Sequence, residues 1–259
     1  MTTYERWLTE GLSPALNPQR YDEWCDAFGL DRWFMNVQLD RSREPLFSEV
    51  VLEESETTII KRLSDGSVIQ DNKGWHKSIP RQIRAFGENG IPVDNIHFGE
   101  DICFKNGPMM NPAHFHEIVV PRYDRVTDLA KRYGYHTVSV DSDGNLTAIL
   151  EDWLDGGVNF FFPLEVQAGM DVNILQNKYN GKAVWMGGIN KYRLAATKKE
   201  IAAELERVKL ALKGGGYIPT LDHNVPHDVS FKNYLDYLEL KQEILGVGTH
   251  KVNFQKVLA

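Results

Sequence analysis

The chain has 259 residues, of which 42% are hydrophobic and 11% aromatic, so it can bury the core of one large domain or two small ones. Its formal net charge of -7, without a run of basic residues, argues against binding to nucleic acid or to an anionic membrane. Its two cysteines are too few for a disulfide framework, and the polar start MTTYERWLTEGLS has no signal-peptide core, so we predict a soluble, cytoplasmic protein.

Residues 1–90 show no regular alternation of elements. Helices are expected in YERWLTEGLS and YDEWCDAFGL, and TTIIKRLSDGSVIQDNKGW predicts a β-hairpin that turns at Asp65 and Gly66. Glycine, asparagine and proline crowd FGENGIPVDN, which indicates a connection near residues 87–94. We expect residues 1–90 to belong to the same domain as residues 91–259.

From residue 93 onward, β-like runs alternate with amphipathic helical patterns, which favours a parallel sheet. One helix is predicted to begin at Asn111 and Pro112, with a kink at Pro121. The clearest helix follows Thr197, which matches a capping box with Glu200. Five strand–helix units can be counted after residue 90, more than half of the eight that close a (β/α) barrel. The predicted fold class is therefore α/β, with units of a barrel that is complete or incomplete.

Each of the five predicted strands ends in polar residues. They are Glu100 with Asp101, Asp141 with Asp143, Glu165, Asn190, and Asp222 with His223. Solvated turns explain any one of these, but the N-terminal ends of the same strands carry no matching set. Because active sites of (β/α) barrels lie at the C-terminal ends of the strands, we expect these residues to line a functional cleft.

These motifs resemble the uroporphyrinogen decarboxylase family. EDICFKNGP, VDSDGN, FPLEVQAGMDV, GGINK and GGYIPTLDHNVPHDVSFKNY occur in this order over roughly residues 91–245, and they are most similar to the cobalamin-dependent methyltransferase-like branch. The resemblance implies a TIM barrel with a deep cleft at its C-terminal rim. It also implies one of two reactions on a small-molecule substrate. These are porphyrinogen decarboxylation and methyl transfer between a small substrate, a corrinoid and a thiol such as coenzyme M.

The resemblance also implies a metal. In the methyltransferases of this family, one histidine and two cysteines hold a zinc ion that stabilises the reacting thiolate. Their His-x-Cys pair aligns with Asp141 and Asp143, and their later cysteine aligns with His223. Two carboxylates and a histidine are ligands that a divalent ion such as zinc accepts. We therefore expect a divalent metal at these three positions, and a corrinoid carried by a partner protein.

Several carboxylates on one rim repel one another. Two of them about 4 Å apart repel by roughly 4 kcal/mol at an effective dielectric near 20. A metal, a shared proton or a cationic group of the substrate would relieve this repulsion, and a raised carboxylate pKa would provide a general acid. The predicted catalytic residues are His223, Glu165, Asp222, Glu100 and Asp101.

Three functions stay open on the sequence. We favour a methyltransferase-like enzyme, with a carboxy-lyase of the uroporphyrinogen decarboxylase type and a non-catalytic ligand-binding homologue as alternatives. The arginine-rich motif with which the decarboxylases bind their substrate is not recognisable in residues 1–60. The passage from the hairpin to DNIHFGED is also shorter than in full-length relatives. We expect that N-terminal segments supply further strands, that a homodimer covers the open side, or that the chain is a shortened homologue.

Overall fold

The structure is a computed structural model that describes residues 2–30, 50–54, 58–62, 68–72, 78–247 and 253–258. The α-helices are α1 (Thr3–Thr9), α2 (Tyr21–Phe28), α3 (Ser78–Glu88), α4 (Pro112–His114), α5 (Val120–Arg132), α6 (Leu150–Asp155), α7 (Val172–Tyr179), α8 (Lys198–Lys209), α9 (Phe231–Leu245) and α10 (Phe254–Val257). The strands are β1 (Val50–Glu54), β2 (Thr58–Arg62), β3 (Val68–Asn72), β4 (Ile96–Gly99), β5 (Cys103–Phe104), β6 (Gly107–Pro108), β7 (Val138–Asp141), β8 (Phe160–Leu164), β9 (Val184–Ile189) and β10 (Tyr217–Leu221). Short 3-10 helices follow β8 and β9 over Val166–Ala168 and Lys191–Ala195.

Two compact units are present in the chain. One comprises residues 1–33, 95–127 and 136–259, and the other comprises residues 34–94 and 128–135. No helix within the described ranges combines the length and the apolar character needed to span a bilayer.

The smaller unit contains an antiparallel sheet with the order β1-β2-β3. The pairing of β2 with β3 confirms the predicted hairpin. Its predicted turn at Asp65 and Gly66 lies outside the described residues. The sequence analysis did not predict β1, which pairs with β2 on the opposite side from β3.

The larger unit is built on a parallel sheet with the order β10-β9-β8-β7-β4. The order in space follows the order in the chain, so every crossover moves one strand along the sheet in the same direction. Right-handed crossovers of this kind place the connecting helices on one face, as in a (β/α) barrel. A doubly wound sheet would instead reverse its strand order. The five predicted strand units are confirmed, and within the described residues the sheet is open, with β4 and β10 at its edges.

The register of this sheet builds the core of the larger unit. It aligns one row of buried side chains across all five strands: Phe98, Val140, Phe161, Trp185 and Tyr217. The Phe161 ring stacks on Trp185 with 5.4 Å between centroids and lies 6.2 Å from Trp153 of α6. Burial of each apolar side chain of this size contributes about 2 to 3 kcal/mol. The row therefore fixes which residues of each strand face the helices and which strand ends share an edge.

The N-terminal helix α1 is packed against α9 in the same unit. Its Trp7 ring lies 5.5 Å from Phe231 and 4.6 Å from Tyr234, measured between centroids. The Trp7 indole N–H also donates to the Val229 carbonyl at 2.9 Å. Thr2 caps α1 in a capping box with Glu5. The predicted N-terminal helix is therefore present, and it is bound to the helix that follows β10.

The predicted kink at Pro121 takes the form of a π-helical turn. Asn111 caps α4 as expected, because its Oδ1 accepts the Ala113 N–H at 2.9 Å. Pro121 has no N–H to donate to a carbonyl of the preceding turn, and its ring crowds that turn. The chain adjusts over Phe115–Val119, where the Val120 N–H bonds to the Phe115 carbonyl in the wider π pattern.

Among the strand glycines that the structure describes, Gly187 is the one at which an added Cβ would come closest to another atom. It lies opposite Leu164 where the pairing of β8 and β9 becomes irregular, and its φ is +109°. A Cβ on Gly187 would lie 2.5 Å from the Leu164 backbone nitrogen. Gly181 has a φ of +73°, with no atom within 4 Å of the corresponding position.

We expect Gly187→Ala to lower the free energy of unfolding by at least about 2 kcal/mol more than Gly181→Ala does. Both variants force alanine into the left-handed region, which costs about 1 kcal/mol or more, but only Gly187→Ala also meets backbone. Urea unfolding of the two variants measures the difference. Equal losses would mean that β8 and β9 are not paired at this point.

Candidate functional site

Each of the five loops that follow the parallel strands contributes a polar residue to one cluster at the carboxyl end of the sheet. After β7, the Asp143 N–H donates to Asp101 Oδ1 of the loop after β4 at 3.3 Å. The neighbouring Gly144 N–H donates to Glu165 Oε2 after β8 at 2.9 Å. Two ion pairs bring in the loops after β9 and β10. We call the following six side chains the rim cluster: Asp101, Asp141, Asp143, Glu165, Lys191 and His223.

The two ion pairs of the rim cluster differ in exposure. Lys191 Nζ lies 3.4 Å from Glu165 Oε1, and these side chains are 11% and 20% exposed. His223 Nε2 lies 3.4 Å from Asp143 Oδ2, and these side chains are 35% and 41% exposed. A ligand that approaches from solvent therefore meets His223 and Asp143 before it meets the lysine pair.

Two carboxyls of the rim cluster hold their protons more tightly than usual. Burial raises the pKa of Asp143, and the nearby Glu165 charge raises it further against the opposing effect of His223. Burial also raises the pKa of Asp141, with His97 as the first opposing influence and the neighbouring carboxylates reinforcing the shift. The site therefore contains carboxyls that are suited to exchange a proton.

His97 extends the titratable groups along the face that carries Asp141. It pairs in register with Ser139, two residues before Asp141, and its Nδ1 lies 3.2 Å from Ser139 Oγ. Its ring stacks on Phe162 with 5.4 Å between centroids. Burial lowers the pKa of His97, and the Asp141 charge opposes this. His97 was not among the predicted site residues, although the period of two along β4 and β7 places it on the same face of the sheet as Asp141.

Asp222 lies beneath the rim cluster and is 0% exposed. Its Oδ1 accepts the Lys191 N–H at 2.9 Å, and its Oδ2 accepts the Val166 N–H at 3.0 Å. Burial raises the pKa of Asp222, while these two backbone donors oppose the shift. One carboxyl thus joins the second residues of the loops after β8 and β9.

Glu100 contacts α5. The Tyr123 hydroxyl donates to Glu100 Oε1, and the buried Tyr123 ring packs on Phe98 of the core row at 5.0 Å. Asp101, the next residue, has a φ of 45°, which turns the chain before its carboxylate reaches Asp143. Of this predicted pair, Asp101 joins the rim cluster and Glu100 faces α5.

Asn190 serves as a cap in this structure. Its Oδ1 accepts the Tyr192 N–H at 3.0 Å, and its own N–H donates to Glu204 Oε1 at 2.8 Å. Arg207 holds Glu204 through two contacts, at 2.6 and 3.0 Å. These bonds fix the start of the 3-10 helix from which the Lys191 side chain reaches Glu165.

Lys191 was not among the predicted site residues. It is the residue directly after Asn190, within the motif GGINK. The signal that could have found it is charge, because a lysine that follows a strand whose neighbours end in carboxylates has partners at the same edge.

The residues present do not fit a thiolate zinc site. Cys25 and Cys103 are both buried outside the rim cluster, and burial raises the pKa of the Cys103 thiol to about 11. Among the residues that the structure describes, no group of three or more His, Cys, Asp or Glu side chains is arranged to hold a metal ion. The expected divalent ion at Asp141, Asp143 and His223 therefore stays a prediction.

A family model described as Uroporphyrinogen decarboxylase (URO-D) matches residues 95–243, which is more than half of the chain. The chain belongs to the uroporphyrinogen decarboxylase family. The matched segment contains all five strands of the parallel sheet and the whole rim cluster of this URO-D protein.

Among solved structures, this URO-D chain is similar to a methyltransferase from Methanosarcina mazei, with 17% sequence identity and a TM-score of 0.43. The similarity covers 63% of this chain and 47% of the methyltransferase, so the URO-D chain spans about half the length of that protein. No curated protein matches the sequence.

We expect Asp143→Asn to raise the midpoint of thermal unfolding at pH 8 by at most about 2 °C, because the Asp143 side chain is 41% exposed and solvent screens its charge. A carboxyl whose pKa is raised in the folded state gives stability that is fully present below its unfolded pKa and is lost as the pH rises through the folded pKa. At pH 8 the charged Asp143 is therefore less favourable than a neutral amide, and near pH 3 the two should be equal.

Asp124→Asn provides the control, because Asp124 is an exposed carboxylate on α5 outside the rim cluster. Its midpoint should follow that of the wild type at both pH values. A lower midpoint for Asp143→Asn at pH 8 would show that the contact with His223 outweighs the cost of burying the charge.

Proposed function

We propose that this URO-D protein is a methyltransferase-like enzyme that moves a methyl group between a small substrate, a corrinoid and a thiol. The observation that supports this reaction over porphyrinogen decarboxylation is the charge of the rim cluster. Four of its six side chains are carboxylates, against one lysine and one histidine. Uroporphyrinogen carries many carboxylates, which such a rim would repel.

The exposed pair of His223 and Asp143 is suited to activate a thiol. Methyl transfer to sulfur requires that the S–H proton leave, because the thiolate is the nucleophile. The His223 ring would accept that proton, and the Asp143 carboxylate, 3.4 Å away, would stabilise the imidazolium. Both side chains are more than a third exposed, so a thiol at the rim can reach them.

The partly buried pair of Glu165 and Lys191 would form the floor of the substrate site. Lys191 Nζ offsets part of the negative charge of the rim and lies 5.5 Å from the Tyr192 ring centroid. Glu165 also accepts the Gly144 N–H at 2.9 Å, which ties it to the loop that carries Asp143. The floor of the substrate site and the pair of His223 and Asp143 would therefore move together.

A corrinoid carried by a partner protein would supply the methyl group when it docks. The residues of this chain would act on the thiol, by binding it, orienting it and removing its proton. A raised carboxyl pKa, as at Asp141 and Asp143, is also what a carboxy-lyase would need in a proton donor, so decarboxylation is the second candidate.

We expect the purified protein to transfer a methyl group from methylcobalamin to coenzyme M, and His223→Gln to slow this transfer by about 100-fold or more. The absorbance of methylcobalamin reports the reaction, with and without added zinc. His227→Gln is the matched control, since His227 is exposed in the same loop and should leave the rate near that of the wild type.

Two results would contradict the proposal. One is consumption of uroporphyrinogen by a wild-type protein that transfers no methyl group, which would favour the carboxy-lyase. The other is equal transfer by His223→Gln and the wild type, which would remove His223 from the reaction.

A further inference from the structure

The contacts of Asp222 bear on the precise placement of Glu165 and Lys191. Asp222 Oδ2 accepts the N–H of Val166, the residue directly after Glu165, at 3.0 Å. Its Oδ1 accepts the N–H of Lys191 itself at 2.9 Å. The two oxygens of one carboxylate therefore hold the two backbone segments whose side chains form the partly buried Glu165–Lys191 ion pair.

Asp222 is itself held in place by the sheet. Its N–H donates to the Ile189 carbonyl at 2.9 Å, directly after the five-residue pairing of β10 with β9. Its side chain is fully buried and so does not face a ligand in solvent. A rigid carboxylate with two strong acceptor atoms can fix the spacing of two loops, because each lost bond would leave a buried polar group unsatisfied.

The N–H groups of Val166 and Lys191 need a hydrogen-bond acceptor from outside their own helices. Val166 and Lys191 are the first residues of their 3-10 helices, and first-turn N–H groups have no partner within a helix. The residue before Val166, Glu165, makes no capping bond with its own side chain. Asp222 is the partner that the structure provides for both N–H groups.

We infer that Asp222 is a positioning residue, which sets the loops after β8 and β9 so that Glu165 and Lys191 pair. The role does not depend on the reaction at the rim, so it holds whether the protein transfers methyl groups or not. A merely stabilising role would leave the coupling free energy between Glu165 and Lys191 unchanged when Asp222 is replaced. A positioning role requires that this coupling free energy depend on Asp222.

A double-mutant cycle measures that coupling by chemical unfolding. The variants are Glu165→Gln, Lys191→Met and the double variant, each made in the wild-type background and in an Asp222→Asn background. In the wild type, the coupling should change the unfolding equilibrium constant by about three- to tenfold. In Asp222→Asn, which keeps the shape but replaces one acceptor oxygen by an NH₂ group, the coupling should be lost.

Asn159→Asp is the matched control background. Asn159 also bonds two backbone groups, the Val138 N–H at 2.9 Å and the His136 carbonyl at 2.8 Å, but it directly precedes β8, at the opposite end of that strand from Glu165. This substitution should lower stability and leave the coupling intact. A coupling that persists in Asp222→Asn, or that is absent from the wild type, would overturn the inference.

Val166→Pro removes the donor of the Val166–Asp222 hydrogen bond instead of its acceptor. It tests the positioning role of Asp222 if Asp222→Asn does not fold. Proline removes the N–H, and it is suited to the first position of a helix. The preceding Glu165 has φ of -70° and ψ of 108°, the extended conformation that proline favours before it. Val166→Pro should reduce the coupling, and an unchanged coupling would again overturn the inference.

Discussion

The register of the parallel sheet is the constraint on which the rest of the site depends. The aromatic and aliphatic side chains of the core row, from Phe98 to Tyr217, lock the five strands at one level against the helices. Because the crossovers all run in one direction, the carboxyl ends of the strands then share an edge. A slip of one residue in any strand would turn its core residue to the opposite face and move its polar end away from the rim cluster.

A second set of groups fixes the loops that leave this edge, and these groups are buried carboxylates. Asp222 joins the loops after β8 and β9, and Glu204 holds the N–H of Asn190 while Arg207 neutralises it. A buried carboxylate is costly unless it is hydrogen-bonded. Asp222 accepts two backbone N–H groups, and Glu204 accepts one backbone N–H and pairs with Arg207. The exposed pair of His223 and Asp143 therefore lies next to loops whose backbone is held by buried hydrogen bonds.

Much of this arrangement follows from local sequence. The capping residues Asn111 and Thr197 were predicted and lie at helix starts, since a cap depends on residues only a few positions apart. The strand ends were predicted because apolar runs give way to carboxylates. The π-turn before Pro121 was predicted only as a kink, because the sequence shows that a hydrogen bond is missing but not how the chain compensates.

The features that escaped prediction depend on distant contacts. Asp222 meets Val166 across 56 positions, and its complete burial cannot be inferred from the polar motif LDHNVP. Glu100 faces Tyr123 because of the strand's alternation, which the motif GED does not reveal. The membership of the chain in the URO-D family does not give the charge balance of the rim cluster, which depends on Lys191.

We expect ligands to bind at the carboxyl edge of the sheet, over the rim cluster. The most direct test is an amide NMR titration of the labelled protein with coenzyme M, without any corrinoid. We expect the largest shifts at Gly144, Val166, Lys191 and His223, and little change at the opposite strand ends near Ile96 and Tyr217. Saturable binding that shifts the opposite ends instead, or no saturable binding to this thiol at all, would contradict this account of the site.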